Sequence, residues 1–142
     1  MDIERHLIMD PADAKPIISR VVAHGDRVYV CGITGDPVGD VTAQTRQALG
    51  RIDHLLAEAG TDKSKLLTAQ VWLSDMRLFR THNLAWNEWV DPEQPPVRAC
   101  VQAATARAAV ACARTMPPSA AVVSTRSREA SRAGVVIGRR SP

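Results

Sequence analysis

Along the first hundred residues the apolar positions change period, and each change marks an element. Residues 5–9 (RHLIM) and 16–22 (PIISRVV) are short β-type runs, and HGD at 24–26 reads as a turn. RVYVCG at 27–32 is the clearest strand, with Val28 and Val30 facing one way and Tyr29 and Cys31 the other. ITGDPVGD at 33–40 packs glycine, proline and aspartate into a loop. The period then becomes helical. Val41, Ala48, Leu49, Ile52, Leu55, Leu56 and Ala59 fall on one stripe, Asp40 stands as N-cap, and Gly60 closes the helix. Gly50 interrupts the stripe's helix and suggests a close approach by a strand. KLLTAQVWLSD at 65–75 predicts a long strand. LFRTHNLAWNEWV at 78–90 predicts a second amphipathic helix, with Phe79, Leu84, Trp86 and Val90 as core or interface contacts. DPEQPP at 91–96 breaks it, and 97–103 is a further strand.

The order β-β-β-α-β-α-β predicts an α+β fold, with two helices on one face of a sheet. The sheet's other face is then left apolar, so self-association is expected.

The chain of 142 residues suggests one domain, and its hydrophobic share of 45% is enough for a core. No apolar run reaches about 18 residues, so no membrane helix is expected. The acidic N-terminus, MDIERHLIMD, lacks the apolar core of a signal peptide, and a cytoplasmic protein is expected. Cys31, Cys100 and Cys112 fit reduced thiols better than a disulfide framework. The four histidines show no zinc-type spacing, so no metal is expected.

The net charge of +3 is divided unevenly. Residues 1–102 hold 11 Lys and Arg against 14 Asp and Glu, whereas 103–142 hold seven Arg against one acid, Glu129. This divides the chain into a domain over 1–114 and a basic, Ala/Arg/Ser-rich tail over 115–142, in which VVIG at 135–138 is a short apolar patch. A small-residue strand at 107–114 would end the domain. No aromatic residue is interleaved with the tail's arginines, so base stacking is unavailable and nucleic acid is not expected as a partner. One hypothesis for the abrupt change after Gln102 is a shifted reading frame in GC-rich coding DNA, which the DNA sequence itself would test.

Three blocks carry a resemblance. YVCGITGDPVGDVTAQTRQALGRIDHLLAEAG resembles the pattern SGQ…G…D…Q…L.N…L..AG of the Rid family, the RidA-type reactive-intermediate deaminases. TAQVWLSDMRLFRTHNLAWNEWV is similar to the family's V.V.L.D…F…N..Y…F segment, and PPVRACVQA to its P.R..V strand. All three occur in order and at family spacing across roughly residues 14–103. The resemblance implies a chorismate-mutase-like α+β fold, a homotrimer with clefts between subunits, and hydrolysis of enamines and imines such as 2-aminoacrylate to keto acids and ammonia. It implies no cofactor. Some relatives are described as acting on RNA or translation.

The same resemblance implies the site. Arg98 would clamp the carboxylate of an imino acid, a task suited to a permanently charged bidentate guanidinium, and is the expected catalytic residue. Cys100 lies two residues on and faces the same way, either lining the pocket or serving as a small buried hydrophobe. Cys31 and Gly32 stand at the family's Ser-Gly position, with plain strand and turn roles as the alternative. Asn83 matches a helix asparagine, binding either substrate or a neighbouring loop, and Trp86 matches an aromatic position that walls the cleft or fills the core. Two departures stand out. The family's early tyrosine would fall at Ile17, and its late glutamate, thought to orient water, would fall near Ala113. No Asp or Glu lies between Arg98 and Glu129. The leading expectation is therefore a 2-iminobutanoate/2-iminopropanoate deaminase-like hydrolase. A trimer that binds small carboxylates or keto acids without turnover comes second, and an RNA-related role through the tail third.

Overall fold

The computed structural model describes residues 2–11, 15–104 and 120–126, the last as a backbone strand. Its strands are β1 (Ile3–Ile8), β2 (Ser19–His24), β3 (Arg27–Val30), β4 (Leu66–Leu73), β5 (Val97–Gln102) and β6 (Ala120–Arg126). Its helices are α1 (Val41–Glu58) and α2 (Phe79–Trp89). The six strands form one sheet in the order β1-β2-β3-β6-β4-β5. All neighbours are antiparallel except β4 and β5, and α2 makes the crossover that this parallel pair requires. The α+β class read from the sequence is what the structure has.

α1 forms where the stripe predicted it. The Asp40 carboxylate accepts from the backbone N–H of Ala43 at 2.8 Å, satisfying one orphan donor of the first turn. At the other end Gly60 takes φ +70°, with Gly60 N donating to Ala57 O and Thr61 N to Leu56 O. These two bonds make a Schellman closure, which needs the left-handed residue that glycine provides. Every residue of the predicted stripe is buried, and Gln44 and Thr45 are buried with it. The stripe packs on Val21, Ala23, Val28, Val30, Leu66 and Ala69 of the sheet, forming one core that also takes in Trp86. On α2, by contrast, Leu84 and Phe79 are exposed rather than core, and Val90 packs only at the core's margin.

Two expectations are corrected, and others fall outside the described residues. The stretch taken as a tail from 115 contains β6, which lies between β3 and β4 and pairs with both. The sheet therefore extends past residue 114. Gly50 has open space where a Cβ would stand, whereas a Cβ on Gly35 would meet the backbone oxygen of Gln44 at 2.6 Å. The close approach is thus the 33–40 loop against α1, at Gly35. The expected strand at 107–114, Ala113, Cys112 and the VVIG patch lie outside the described residues.

Alternation along the strands leaves Ile3, Tyr29, Trp72, Val97 and Val101 on the face away from the helices. Tyr29 is 48% exposed and Val97 72%, so these apolar side chains are uncovered in a single copy, on a face that also carries Arg5, Arg27 and Gln70. Among the described residues no helix is long and apolar enough to cross a membrane.

Candidate functional site

β5 places its side chains by register with β4. Arg98 pairs with Ala69 and Cys100 with Val71, both buried beneath the helices, so Arg98 and Cys100 point to the helix side. There they meet α2. Phe79, His82, Asn83 and Trp86 recur at helical spacing along one face of that helix, and Arg98 lies against it. Its Nη2 donates to Asn83 Oδ1 at 2.6 Å. The guanidinium carbon stands 5.0 Å from the Trp86 ring centroid and 5.8 Å from that of Phe79, within cation–π range of both. Arg98 Nη1 is buried and has no hydrogen-bond partner. Burial pushes the Arg98 pKa down, with Cys100 acting the other way, but a guanidinium remains charged.

An arginine held in this way can grip an anion. Asn83 and the two rings fix the plane of the guanidinium, and one nitrogen is left as an unused donor. Burying a donor without a partner costs about 1–3 kcal/mol, so an acceptor arriving at Nη1 is favoured by the removal of that cost.

His82 is the residue that the sequence reading missed. It is 1% exposed, and its Nδ1 lies 3.0 Å from the Thr45 hydroxyl of α1, while its Nε2 is buried without a partner. Burial first, and the charge of Arg98 second, push its pKa down to about 4, so it is neutral at pH 7. The signal was available, since His82 stands three residues after Phe79 and four before Trp86 on the stripe that holds Asn83.

The predicted residues divide. Arg98, Asn83 and Trp86 come together, and Cys100 adjoins them on β5. Asn83 binds Arg98 rather than a loop, and Trp86 serves both as core and as the wall beneath the guanidinium. Burial raises the Cys100 pKa against the opposing pull of Arg98, which keeps it a thiol rather than a nucleophilic thiolate. Cys31 and Gly32 lie just beyond β3, three strand spacings from β5, or roughly 14 Å. Cys31 packs against the core, and in one copy neither residue joins Arg98. Ile17, where the family's early tyrosine would fall, is 71% exposed. Among the described residues no group of three or more His, Cys, Asp or Glu is placed to hold a metal ion.

A mixed six-stranded sheet, two helices on one face and a half-buried arginine held by the second helix define an α+β protein whose Arg98 presents an unpartnered donor. Comparison with known proteins makes this specific. The family described as Endoribonuclease L-PSP matches residues 10–112, and the chain belongs to this Rid/YjgF family. A RutC family protein of Haemophilus influenzae is 43% identical over 88 residues, covering 61% of this chain and 76% of that one. The RutC family protein YoaB of Escherichia coli is 37% identical over 91 residues, covering 64% and 80%. Among solved structures, NMB1025 of Neisseria meningitidis, a member of the YjgF protein family, superposes with a TM-score of 0.75 at 28% identity, over 92% of this chain and 98% of that one. A more distant relative, 28% identical over 89 residues, is the Escherichia coli protein TdcF, provisionally named a reactive intermediate deaminase.

Proposed function

We propose that this protein hydrolyses reactive enamines and imines, of the 2-aminoacrylate class, to keto acids and ammonia. The observation that supports it most is Arg98, tied at one nitrogen to Asn83, backed by Trp86 and Phe79, and bare at Nη1. A carboxylate on Nη1 would orient the adjacent C=N carbon for attack. Water then adds to that carbon, the nitrogen takes a proton, and the resulting carbinolamine expels ammonia to leave the keto acid. The provisional name of TdcF supports the same reaction class. The exposed apolar side chains on the sheet's uncovered face and the distance of Cys31 and Gly32 from Arg98 support a homotrimer, with clefts completed between copies. Arg98 would be the catalytic and binding residue, with Cys100, Asn83 and Trp86 from the same copy and Cys31 and Gly32 from the next.

The test is a coupled assay in which a threonine dehydratase generates the imine and keto acid release is followed. The protein should accelerate release, and Arg98→Ala should abolish the effect. No acceleration by the wild type would defeat the proposal. A second reading is favoured by the run without Asp or Glu between Arg98 and Glu129, since general-base help is typically worth ~10²–10⁴ in rate. It is a trimer that binds small carboxylates without turnover. Binding of 2-ketobutyrate without catalysis would select it. An RNA role ranks third, supported by the family's description and the basic C-terminal stretch, and a gel shift with RNA tests it.

A further inference from the structure

Two buried polar atoms lack partners where α2 meets β5, one on Arg98 and one on His82, the residue before the Asn83 that holds Arg98. They are Arg98 Nη1 and His82 Nε2. His82 is buried, carries no positive charge at neutral pH, and feels the charge of Arg98. Its other nitrogen meets the Thr45 hydroxyl, a group that can donate to Nδ1 and leave the ring proton on Nε2. In that tautomer both unpartnered atoms are donors. One buried donor asks for one acceptor, and two such donors on residues that feel each other's charge can be met together by a bidentate acceptor. The surroundings select the same chemistry. The aromatic walls supply no acceptor, and the Asn83 oxygen is already taken by Nη2. Around the two atoms, Phe79 is exposed and Asn83, Arg98 and Cys100 are half-buried.

We propose that His82 is a second ligand-binding residue of the carboxylate subsite, its Nε2–H donating to one carboxylate oxygen while Arg98 Nη1 donates to the other, with Thr45 fixing the tautomer. This rests on the reading of Arg98 as a carboxylate clamp and extends it to the residue that completes the grip. A bidentate grip selects planar carboxylates of 2-keto and 2-imino acids over the corresponding amides, which carry one acceptor and one donor at that end. The Thr45 hydroxyl is the α1 group at His82, and Arg98 is the charged group of β5 that acts on it, with Cys100 two residues further along the same strand.

The experiment uses the full chain with ¹⁵N-labelled histidine, titrated with 2-ketobutyrate. In the free protein the His82 ring should show a protonated Nε2 and an unprotonated Nδ1. On saturation the Nε2–H signal should move downfield, and in Arg98→Ala it should not. By calorimetry, His82→Leu should weaken 2-ketobutyrate by about 10- to 100-fold, the span of one hydrogen bond to a charged group. Thr45→Val, close in shape and less disruptive, should weaken it several-fold. An Nε2 signal that stays still while 2-ketobutyrate binds, or unchanged affinity in Thr45→Val together with an unmoved signal, overturns the role of His82 and leaves Arg98 standing. Failure of the wild type to bind 2-ketobutyrate overturns both.

Discussion

Replacing His82 with glutamine should flatten the acid side of the protein's stability curve. The imidazole is neutral in the fold because burial, and then Arg98, push its pKa from the usual 6.5 to about 4. In the unfolded chain the same ring titrates normally. Its folded pKa is therefore depressed, and for a base this sign means a penalty under acid conditions. Above pH 6.5 both states are neutral and the ring contributes nothing. As pH falls from 6.5 towards 4 the unfolded state takes up a proton that the folded state refuses, and below 4 the penalty is complete. Integrated down to pH 5, the difference in proton binding amounts to about 2 kcal/mol of lost stability. The lowered pKa of Asp62, about 2 under its bonds to Lys65 and Ser64, acts below this window. The assay is urea unfolding of wild type and His82→Gln at pH 8 and pH 5, at one protein concentration because association shifts apparent stability. The wild type should lose about 2 kcal/mol more than the variant between the two pH values. Saturating 2-ketobutyrate should reduce that difference, since a carboxylate at Arg98 cancels the second of the two causes and leaves the first. Parallel loss in wild type and variant would refute the argument, because it would mean that His82 titrates as freely in the fold as outside it.

Arg98→Lys should weaken 2-ketobutyrate at least tenfold by calorimetry, because a single ammonium cannot both hold Asn83 and present a second donor in the same plane. Gly50→Ala should stabilise the fold by up to about 1 kcal/mol in urea unfolding, since the site is helical and open. Gly35→Ala should cost about 1–3 kcal/mol in the same assay, since its Cβ would be driven into the α1 backbone. Cys100 should alkylate with iodoacetamide more slowly at pH 7.5 than a free cysteine, and Cys100→Ser should keep catalytic activity, as expected of a protonated pocket thiol rather than a nucleophile.

What could be read from the sequence depended on whether the signal was local. α1 was legible from end to end because its stripe, its Asp40 cap and its Gly60 closure are all short-range features. β3 was legible because Val28 and Val30 alternate with exposed Tyr29. β6 was not. AAVVSTR carries small and polar residues with no strong alternation, and its identity as a strand comes from the hydrogen bonds that β3 and β4 offer on either side. Gly35 and Gly50 are indistinguishable by composition, and only the packing of the 33–40 loop on α1 separates them. Arg98, Asn83 and Trp86 were reached through the family's motif spacing. His82 has no such motif, and its contact with Thr45 joins residues 37 positions apart in the chain.

The position of β6 also explains why the predicted site arrives in two parts. By pairing with both β3 and β4, it sets the end of β3 three strands away from β5. Cys31 and Gly32 are thereby kept from the Arg98 of their own chain by the sheet itself, and no side-chain movement closes a gap of roughly 14 Å. On the proposed reading, their contribution to a ligand must be made across an interface. Exposed apolar side chains on the face away from the helices, Tyr29 on β3 and Val97 and Val101 on β5, lie on the same strands that carry the two half-sites. Association through that face would bury the apolar surface and bring one copy's β3 end towards another copy's β5 in a single step. A charged substitution at Val97, which is exposed and makes no contribution to the core of its own chain, should then lower both the oligomeric state in sedimentation and 2-ketobutyrate binding while leaving the helical signal in circular dichroism unchanged. Loss of association with full retention of binding would show that one copy holds the complete site.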